Sequence, residues 1–329
     1  MRRFILLLVL VFILGAAIFC GFFLYTPIII NSDLHYILQE NTNAHALAND
    51  LHKLSSLRYP ILFRWLIKIR SDDKKLQAGE YSFPRGSTAI QVLNRIVHGK
   101  VLYHSFTIIN GWNFYHTVTA LENDPIIKHV LTNKSPDKIA KEMQLKHKTP
   151  EGLLFPETYY YTLGTTDLEI LNRAYQTMRQ YMQQQWPRRS KNFSYKRQYT
   201  ALIIASMVEK ETSLKREKPI IAAIILKRLK KWMHLQIDAT VIYGLGKHFD
   251  GDLTRKKLRS KTPYNTYVHY GLPPTPIAMS GSDSINAVLH PAKTKKMYFV
   301  AMKNGKHVFS ETLEQHNRNV AKYQLNQKS

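Results

Sequence analysis

The longest apolar stretch of this 329-residue chain lies at its N-terminus. Residues 4–30 are mostly Leu, Ile, Val and Phe and include no charged residue. A helix that crosses a bilayer needs about 20 such residues, whereas the apolar region of a cleavable signal peptide has about 7–15. The pattern therefore predicts an uncleaved membrane anchor. A cleaved signal peptide is the alternative, because residues 15–17 are small enough for a cleavage site.

The charges beside this stretch predict its orientation. Arg2 and Arg3 precede it, so the positive-inside rule places the N-terminus in the cytoplasm. The chain from about Asn31 onward would then lie outside the cytoplasmic (inner) membrane, in the periplasm or an equivalent extracytoplasmic space. No second apolar run has a comparable length, so we expect a single-pass protein of that membrane.

Shorter patterns after the anchor predict a small α+β module. Residues 61–67 have apolar positions at helical spacing, and residues 81–83 alternate as in a short strand. Residues 90–97 predict an amphipathic helix, and residues 101–109 predict a second strand. A strand, a helix and a strand within so few residues form one compact unit, for which binding and packing are the expected roles.

The remainder of the chain mixes helical and strand patterns. Residues 113–144 indicate a basic helical segment without clear limits, and residues 168–186 predict a helix capped by Thr166 or Asp167. Residues 220–232 predict another helix. Residues 239–243 are typical of a strand, and residues 297–309 of a hairpin.

These patterns predict an α+β protein in three parts. Residues 1–30 form the cytoplasmic tip and transmembrane anchor, residues 31–110 a linker with the small module, and residues 111–329 a larger domain. Cys20 is the only cysteine and lies in the apolar run, so the exported part is stable without disulfides. The 14 histidines are scattered, without HExxH spacing, so we expect no metal ion and no other cofactor.

The chain is strongly basic, with 47 Lys and Arg against 23 Asp and Glu and a net charge of +24. Such a charge attracts nucleic acid, anionic membrane surfaces or acidic polymers. Export behind a membrane anchor makes nucleic acid the weakest of these partners. We therefore expect attraction to an anionic cell envelope and no nucleic-acid binding.

Two acids, Glu209 and Glu211, interrupt an otherwise apolar helical run that begins at Ala201. A carboxylate among Ile, Met and Val is costly unless it is paired, hydrogen-bonded or protonated. Burial raises a carboxyl pKa, and a raised pKa is what a general acid needs near neutral pH. The run therefore holds the best candidate for catalysis.

A helical wheel separates these two acids. Glu211 lies beside Ile204, Met207 and Val208, and Glu209 is nearly opposite. The two carboxylates are therefore not expected to act on one bond, and the wheel slightly favours Glu211. The structural alternative is that one acid pairs with a basic residue near the helix end, namely Lys210, Lys215 or Arg216.

Residues 151–161 form an aromatic-rich loop that contains Glu157 and three consecutive tyrosines. Two interpretations are equally supported. The loop is either packed for structural reasons or forms a wall of a cleft, where tyrosine rings stack on sugars.

Segments spread over nearly the whole chain match those of one known protein family. In order, they are Ala78-Gly79-Glu80-Tyr81, Phe155-Pro156-Glu157-Thr158, Ser206-Met207-Val208-Glu209-Lys210-Glu211-Thr212, Leu235-Gln236-Ile237-Asp238, Thr240-Val241-Ile242-Tyr243-Gly244, Pro263-Tyr264-Asn265-Thr266-Tyr267, Gly271-Leu272-Pro273-Pro274 and His290-Pro291-Ala292-Lys293-Thr294. Near the C-terminus, residues 298–300, His307, Phe309 and His316 also fit. In these segments the chain resembles the YceG-like family of endolytic murein transglycosylases, the MltG proteins. No single motif carries the resemblance.

The resemblance implies an activity and a catalytic residue. Members of the family cleave peptidoglycan glycan strands between MurNAc and GlcNAc without water and leave a 1,6-anhydro-MurNAc end. Their catalytic residue is the second Glu of the Glu-Lys-Glu-Thr segment, which corresponds to Glu211. One carboxylate can serve both proton transfers, which agrees with a single clear acid in the central helix.

Other residues are candidates for substrate binding. Gln236 and Asp238 would hydrogen-bond sugar hydroxyls or orient Glu211, although Asp238 would equally cap a turn. Tyr264, Asn265 and Tyr267 are polar and aromatic loop residues suited to sugars, with packing as the alternative. Glu157 would line the same cleft.

The resemblance also implies a LysM-like fold for the small module, a fold that holds glycan, and penicillin-binding proteins as partners. The expected function is membrane-anchored cleavage that ends elongation of nascent strands. Two alternatives are a non-catalytic glycan-binding scaffold for cell-wall synthases and a water-using muramidase. The muramidase would need Glu157 or Asp238 as its second carboxylate.

Overall fold

The computed structural model of the chain describes residues 2–191 and 193–325. Helices dominate, and the strands form three two-stranded sheets within the described residues, which confirms the predicted α+β class. The described chain divides into two compact units. The first comprises residues 2–104 and 160–164, and the second comprises residues 105–159 and 165–325.

The first unit begins with helix α1, Arg2–Tyr25. Its 24 residues have a mean hydropathy of 3.0 over the most apolar window, and none of that window is buried. Among the described residues it is the one helix long and apolar enough to cross a membrane. These properties fit a single-pass anchor, and a signal sequence shares them.

The rest of this unit is built around one antiparallel pair of strands. Its elements are β1 (Leu34–Leu38), α2 (Ala44–Leu54), α3 (Pro60–Ile69), β2 (Gly79–Phe83) and α4 (Ala89–Val97). Tyr36 of β1 lies opposite Tyr81 of β2. Tyr81 and Phe83 are fully buried on one face of β2, as their alternation predicts. A capping box between Thr88 and Gln91 begins α4.

The sequence predicted α3, α4 and β2 but not the strand that pairs with β2. Its antiparallel partner is β1, in a segment without a clear pattern, and not a strand over residues 101–109. That segment contains only β3, His104–Thr107, which forms a sheet with β4, Thr158–Tyr161. Strand pairing is a long-range property that local alternation does not encode.

The second unit is mainly helical and ends in a hairpin. Its elements are α5 (Phe114–Glu122), α6 (Pro136–Glu142), α7 (Asp167–Gln185), α8 (Gln198–Glu211), α9 (Lys218–Lys230), α10 (Asp238–Leu245), α11 (Ser282–Leu289), β5 (Tyr298–Ala301), β6 (His307–Ser310) and α12 (Leu313–Val320), followed by a π-helical turn (Ala321–Leu325). Strands β5 and β6 are antiparallel, which confirms the predicted hairpin. Helix α7 begins with a capping box at Thr166, as predicted.

Helix α8 is the central element of this unit. All eight residues from Ala201 to Val208 are buried, and α9 and α11 pack against them. Fully burying one Ile, Leu or Val side chain contributes about 1.5–3 kcal/mol, so this cluster holds the end of α8 firmly in place. The site described below is built on that end.

One prediction for this unit was wrong, and the structure gives limits to another. Residues 239–243 form part of helix α10 and not a strand. Their β-branched residues favour a strand, but Thr240 donates to the Ile237 carbonyl and packs with Val241 in the interior. The predicted helical segment over residues 113–144 is divided into α5 and α6, because Pro136 begins a separate helix.

Candidate active site

Glu211 is the last residue of α8. Thr212 ends the helix with an extended backbone, at φ −149 and ψ 139. Glu211 is partly exposed, although the eight helix residues up to Val208 are buried. A rigid apolar helix therefore presents one carboxylate at its end.

Glu211 lines a cavity of about 330 Å³. Several elements of the second unit contribute to the wall of this cavity, and its polar and basic side chains are Glu211, Arg228, Gln236, Asp238, Tyr267, His307, His316 and Gln324. Phe299 adds an aromatic ring from β5. The cavity therefore combines two acids with hydrogen-bond donors and aromatic surface, a composition suited to a hydroxyl-rich ligand.

The electrostatic environment of Glu211 favours its protonated form. Its pKa is raised to about 7, first by burial and then by the negative charge of Asp238, while Arg228 acts in the opposite direction. No described residue donates a hydrogen bond to its carboxylate, and neither oxygen is sealed from solvent. Near neutral pH, Glu211 can therefore both donate and accept a proton.

Glu209 has a different environment. Its carboxylate lies 3.0 Å from the Lys218 ammonium, and it accepts a second hydrogen bond from the Gly281 backbone at 3.1 Å. The basic residues predicted as partners near the helix end do not supply this pair, since Lys218 is on the next helix. Glu209 is a structural acid, as the helical wheel allowed.

Asp238 and Gln236 reach the cavity from the chain around the start of α10. The Tyr267 hydroxyl donates a hydrogen bond to Asp238. Burial and then Asp238 raise the pKa of Tyr267, so the hydroxyl remains a donor. Gln236 has a φ of +53, a left-handed conformation that costs energy for a residue with a side chain. Buried neighbours Leu235 and Ile237 hold it there.

Three of the seven predicted site residues lie outside the lining of this cavity. Asn265 is fully buried, and its amide donates to the carbonyls of Leu258 and Ser260 at 3.0 and 2.7 Å. The polar atoms of its side chain therefore hydrogen-bond within the loop that carries Tyr267. Tyr264 hydrogen-bonds Thr275 at 2.9 Å.

Glu157 is the third of these residues. Its side chain is exposed, and its backbone carbonyl accepts a hydrogen bond from Ile108 at 3.0 Å. In the aromatic segment that follows Glu157, Tyr159 is buried and Tyr160 is exposed. Strand alternation in β4 accounts for this difference.

The basic side chains of the cavity are not among the predicted site residues. Arg228 is buried and donates to the carbonyls of Met297 and Leu235 at 3.0 and 2.8 Å. It follows Ile221 and Ile224 by seven and four residues, so helical spacing already puts it on the buried face of α9. His307 and His316 come from β6 and α12, and their local sequence gives no comparable signal.

A second buried acid, Glu151, was also missed. Its carboxylate accepts hydrogen bonds at 3.0 Å from the Phe114 backbone and from the Tyr243 hydroxyl. Burial raises its pKa to about 7 although these hydrogen bonds lower it. Glu151 is not part of the cavity lining, so we regard it as structural.

The pattern of the YceG-like family matches residues 36–322. A protein of Bacillus subtilis named endolytic murein transglycosylase is 31% identical, with 94% of this chain and 91% of that protein covered. One of the same name from Streptococcus pneumoniae is 25% identical over 87% of this chain and 57% of its own length. The crystal structure of a YceG-like protein from Listeria monocytogenes is 27% identical, covers 88% of this chain and all of that one, and has a TM-score of 0.55.

Proposed function

The chain belongs to the YceG-like family, and we propose that it is an endolytic murein transglycosylase. It cleaves the bond between MurNAc and GlcNAc in peptidoglycan strands and leaves a 1,6-anhydro-MurNAc end. The observation that carries this proposal is the environment of Glu211. Glu211, whose carboxyl pKa is raised by burial and by Asp238, lies at the end of a rigid helix and lines a cavity with hydrogen-bonding groups.

Glu211 supplies the proton chemistry. The protonated carboxyl gives its proton to the glycosidic oxygen of the leaving GlcNAc, and the bond to C1 of MurNAc breaks through an oxocarbenium-like state. The C6 hydroxyl of the same MurNAc attacks C1 and loses its proton. A proton returns to the ionised Glu211 carboxylate, which restores the starting state. No water enters the products.

The other residues of the cavity bind and orient. Gln236 and the Asp238–Tyr267 pair offer donors and acceptors for sugar hydroxyls. Asp238 also keeps Glu211 protonated, because two nearby carboxylates are not easily ionised together. Arg228 limits that effect through its positive charge.

The anchor and the small module place this activity on nascent cell wall. We propose that α1 spans the cytoplasmic membrane with the N-terminus inside and the catalytic unit outside. The LysM-like module would hold glycan, because a cleft of about 500 Å³ there is lined by Trp65, Arg64 and Asn43, and Trp65 is exposed. Cleavage near the membrane would end strand elongation, with penicillin-binding proteins as partners.

A water-using muramidase is the second candidate. It is favoured by one observation, namely that Asp238 lies in the same cavity as Glu211 and would be the second carboxylate of a hydrolase. The two reactions differ in their products by one water molecule, so product mass separates them directly.

The test uses the purified chain, its Glu211→Gln variant and, as a control, a Glu209→Gln, Lys218→Met double variant that removes the buried ion pair as a whole, on uncrosslinked peptidoglycan. We expect anhydro-MurNAc ends from the unmodified chain, at least about 100-fold less product from Glu211→Gln, and retained cleavage by the control. Reducing ends would identify a muramidase. Binding of glycan without cleavage by the unmodified chain would indicate a scaffold and refute the proposal.

A further inference from the structure

A carboxylate holds the imidazole of His307 in a fixed orientation at the wall of the cavity. The His307 Nδ1 atom lies 2.8 Å from one oxygen of Glu217, and the His307 backbone donates to the other oxygen at 3.1 Å. Both side chains are nearly buried, at 7% and 6% exposure. This arrangement keeps the proton on Nδ1.

Glu217 is suited to this role because it remains ionised. Burial alone would raise its pKa, but hydrogen bonds from His307 and Thr212 outweigh burial and lower the pKa below its ordinary value. The Thr212 hydroxyl donates to Glu217 at 3.1 Å. Thr212 directly follows Glu211, so the same carboxylate links the end of α8 to His307.

The other ring nitrogen of His307 is free for chemistry. Its Nε2 atom makes no hydrogen bond to any residue in the described part of the chain, and it is not sealed from solvent. His307 lines the same cavity as Glu211. A histidine oriented by a carboxylate, with its second nitrogen open to a reactive site, is the usual arrangement of a general base.

We propose that His307 is a second catalytic residue, the base that removes the proton from the MurNAc C6 hydroxyl, and that Glu217 is its positioning residue. The inference rests on the proposed transglycosylase activity. Glu211 then acts as the acid and His307 as the base of one reaction.

The steps balance without a further reactant. The C1–O4 bond breaks, and the Glu211 proton goes to O4 of the leaving GlcNAc. The C6 oxygen forms the new bond to C1, and its proton goes to Nε2 of His307. The imidazolium then returns a proton to the Glu211 carboxylate, through solvent in the cavity. With a separate base, the C6 hydroxyl can lose its proton while the C1–O4 bond breaks. Glu211 alone would have to give up its own proton before it could accept the proton of the C6 hydroxyl.

The experiment measures anhydro-MurNAc formation by the full chain with His307→Ala, with and without added imidazole. We expect kcat to fall about 100-fold and KM to change little. Added imidazole should raise the kcat of the variant at least about tenfold. His147→Ala is the matched control, because His147 is a half-buried histidine that stacks on Tyr199 away from the cavity. It should keep activity and show no response to imidazole.

Glu217→Gln tests the positioning residue. It should lower kcat without raising KM, and imidazole should not restore it because the His307 ring is still present. Full activity of a folded His307→Ala variant, or a loss that imidazole does not restore, would overturn the inference. If Glu211→Gln abolishes anhydro products in the same assay, the proposed function stands even when this inference fails.

Discussion

The Lys218 ammonium lies 3.0 Å from the Glu209 carboxylate, and both side chains are only 7% exposed. Glu211, two residues further along α8, has no such partner among the described residues and lines the cavity instead. Residues two apart on a helix point in nearly opposite directions. One helix end therefore carries a structural acid on one side and a chemically available acid on the other.

The Glu209–Lys218 pair predicts a stability effect without a catalytic one. Lys218→Met leaves a buried carboxylate unpaired, which should lower the free energy of unfolding by about 3 kcal/mol or more. Adding Glu209→Gln should recover most of this loss, because no buried charge remains. Urea denaturation followed by circular dichroism measures both. Lys215→Met is the control, since Lys215 and Asp283 form an exposed pair, and no measurable loss is expected.

Asp238→Asn should change the pH dependence of cleavage. Glu211 must be protonated to act as an acid, so activity should fall as the pH rises through its pKa of about 7. Removing the negative charge of Asp238 lowers the Glu211 pKa, and the falling limb should move down by about one pH unit. Initial rates of anhydro-product formation between about pH 5 and about pH 9 measure this shift, because that range spans the titration of Glu211. An unmoved limb would show that Asp238 does not influence the acid.

Glu151→Gln should stabilise the protein at alkaline pH. The folded-state pKa of Glu151 is raised from 4.5 to about 7, so the folded state binds its proton more tightly than the unfolded state. Its contribution therefore becomes unfavourable as the pH rises from 4.5 to about 7, by about 3 kcal/mol at most. The difference in unfolding free energy between variant and parent should grow across that window and then level off. A difference that is constant with pH would contradict the raised pKa.

Asn265→Ala should destabilise the loop that carries Tyr267. The substitution leaves the Leu258 and Ser260 carbonyls without their donor and removes the acceptor of the Tyr267 backbone amide. We expect a loss of about 2–4 kcal/mol in thermal or urea unfolding, with reduced cleavage. Tyr267→Phe is the comparison, since it removes only the hydroxyl that donates to Asp238. It should reduce activity with a small change in stability; equal stability losses would argue against the structural role of Asn265.

Local sequence patterns were sufficient for elements whose signals lie within a few residues. The capping boxes at Thr88 and Thr166 and the buried alternation of Tyr81 and Phe83 agree with their sequence patterns. Helix α10 is the exception, because packing of Thr240 in the interior outweighs the strand preference of its β-branched residues. The intrinsic preferences of residues for helix or strand differ by a smaller free energy than is gained by burying one apolar side chain.

The sequence by itself determined the α+β class, the apolar N-terminal helix, the family and the two candidate acids of α8. Only the tertiary structure distinguished those acids, because Lys218 and the cavity wall both come from other elements. It likewise placed Arg228 and His307 on the wall of the cavity that Glu211 lines, and it buried Asn265. Helical periodicity fixes which way a side chain points, but its pKa and its partners depend on what the rest of the chain places there.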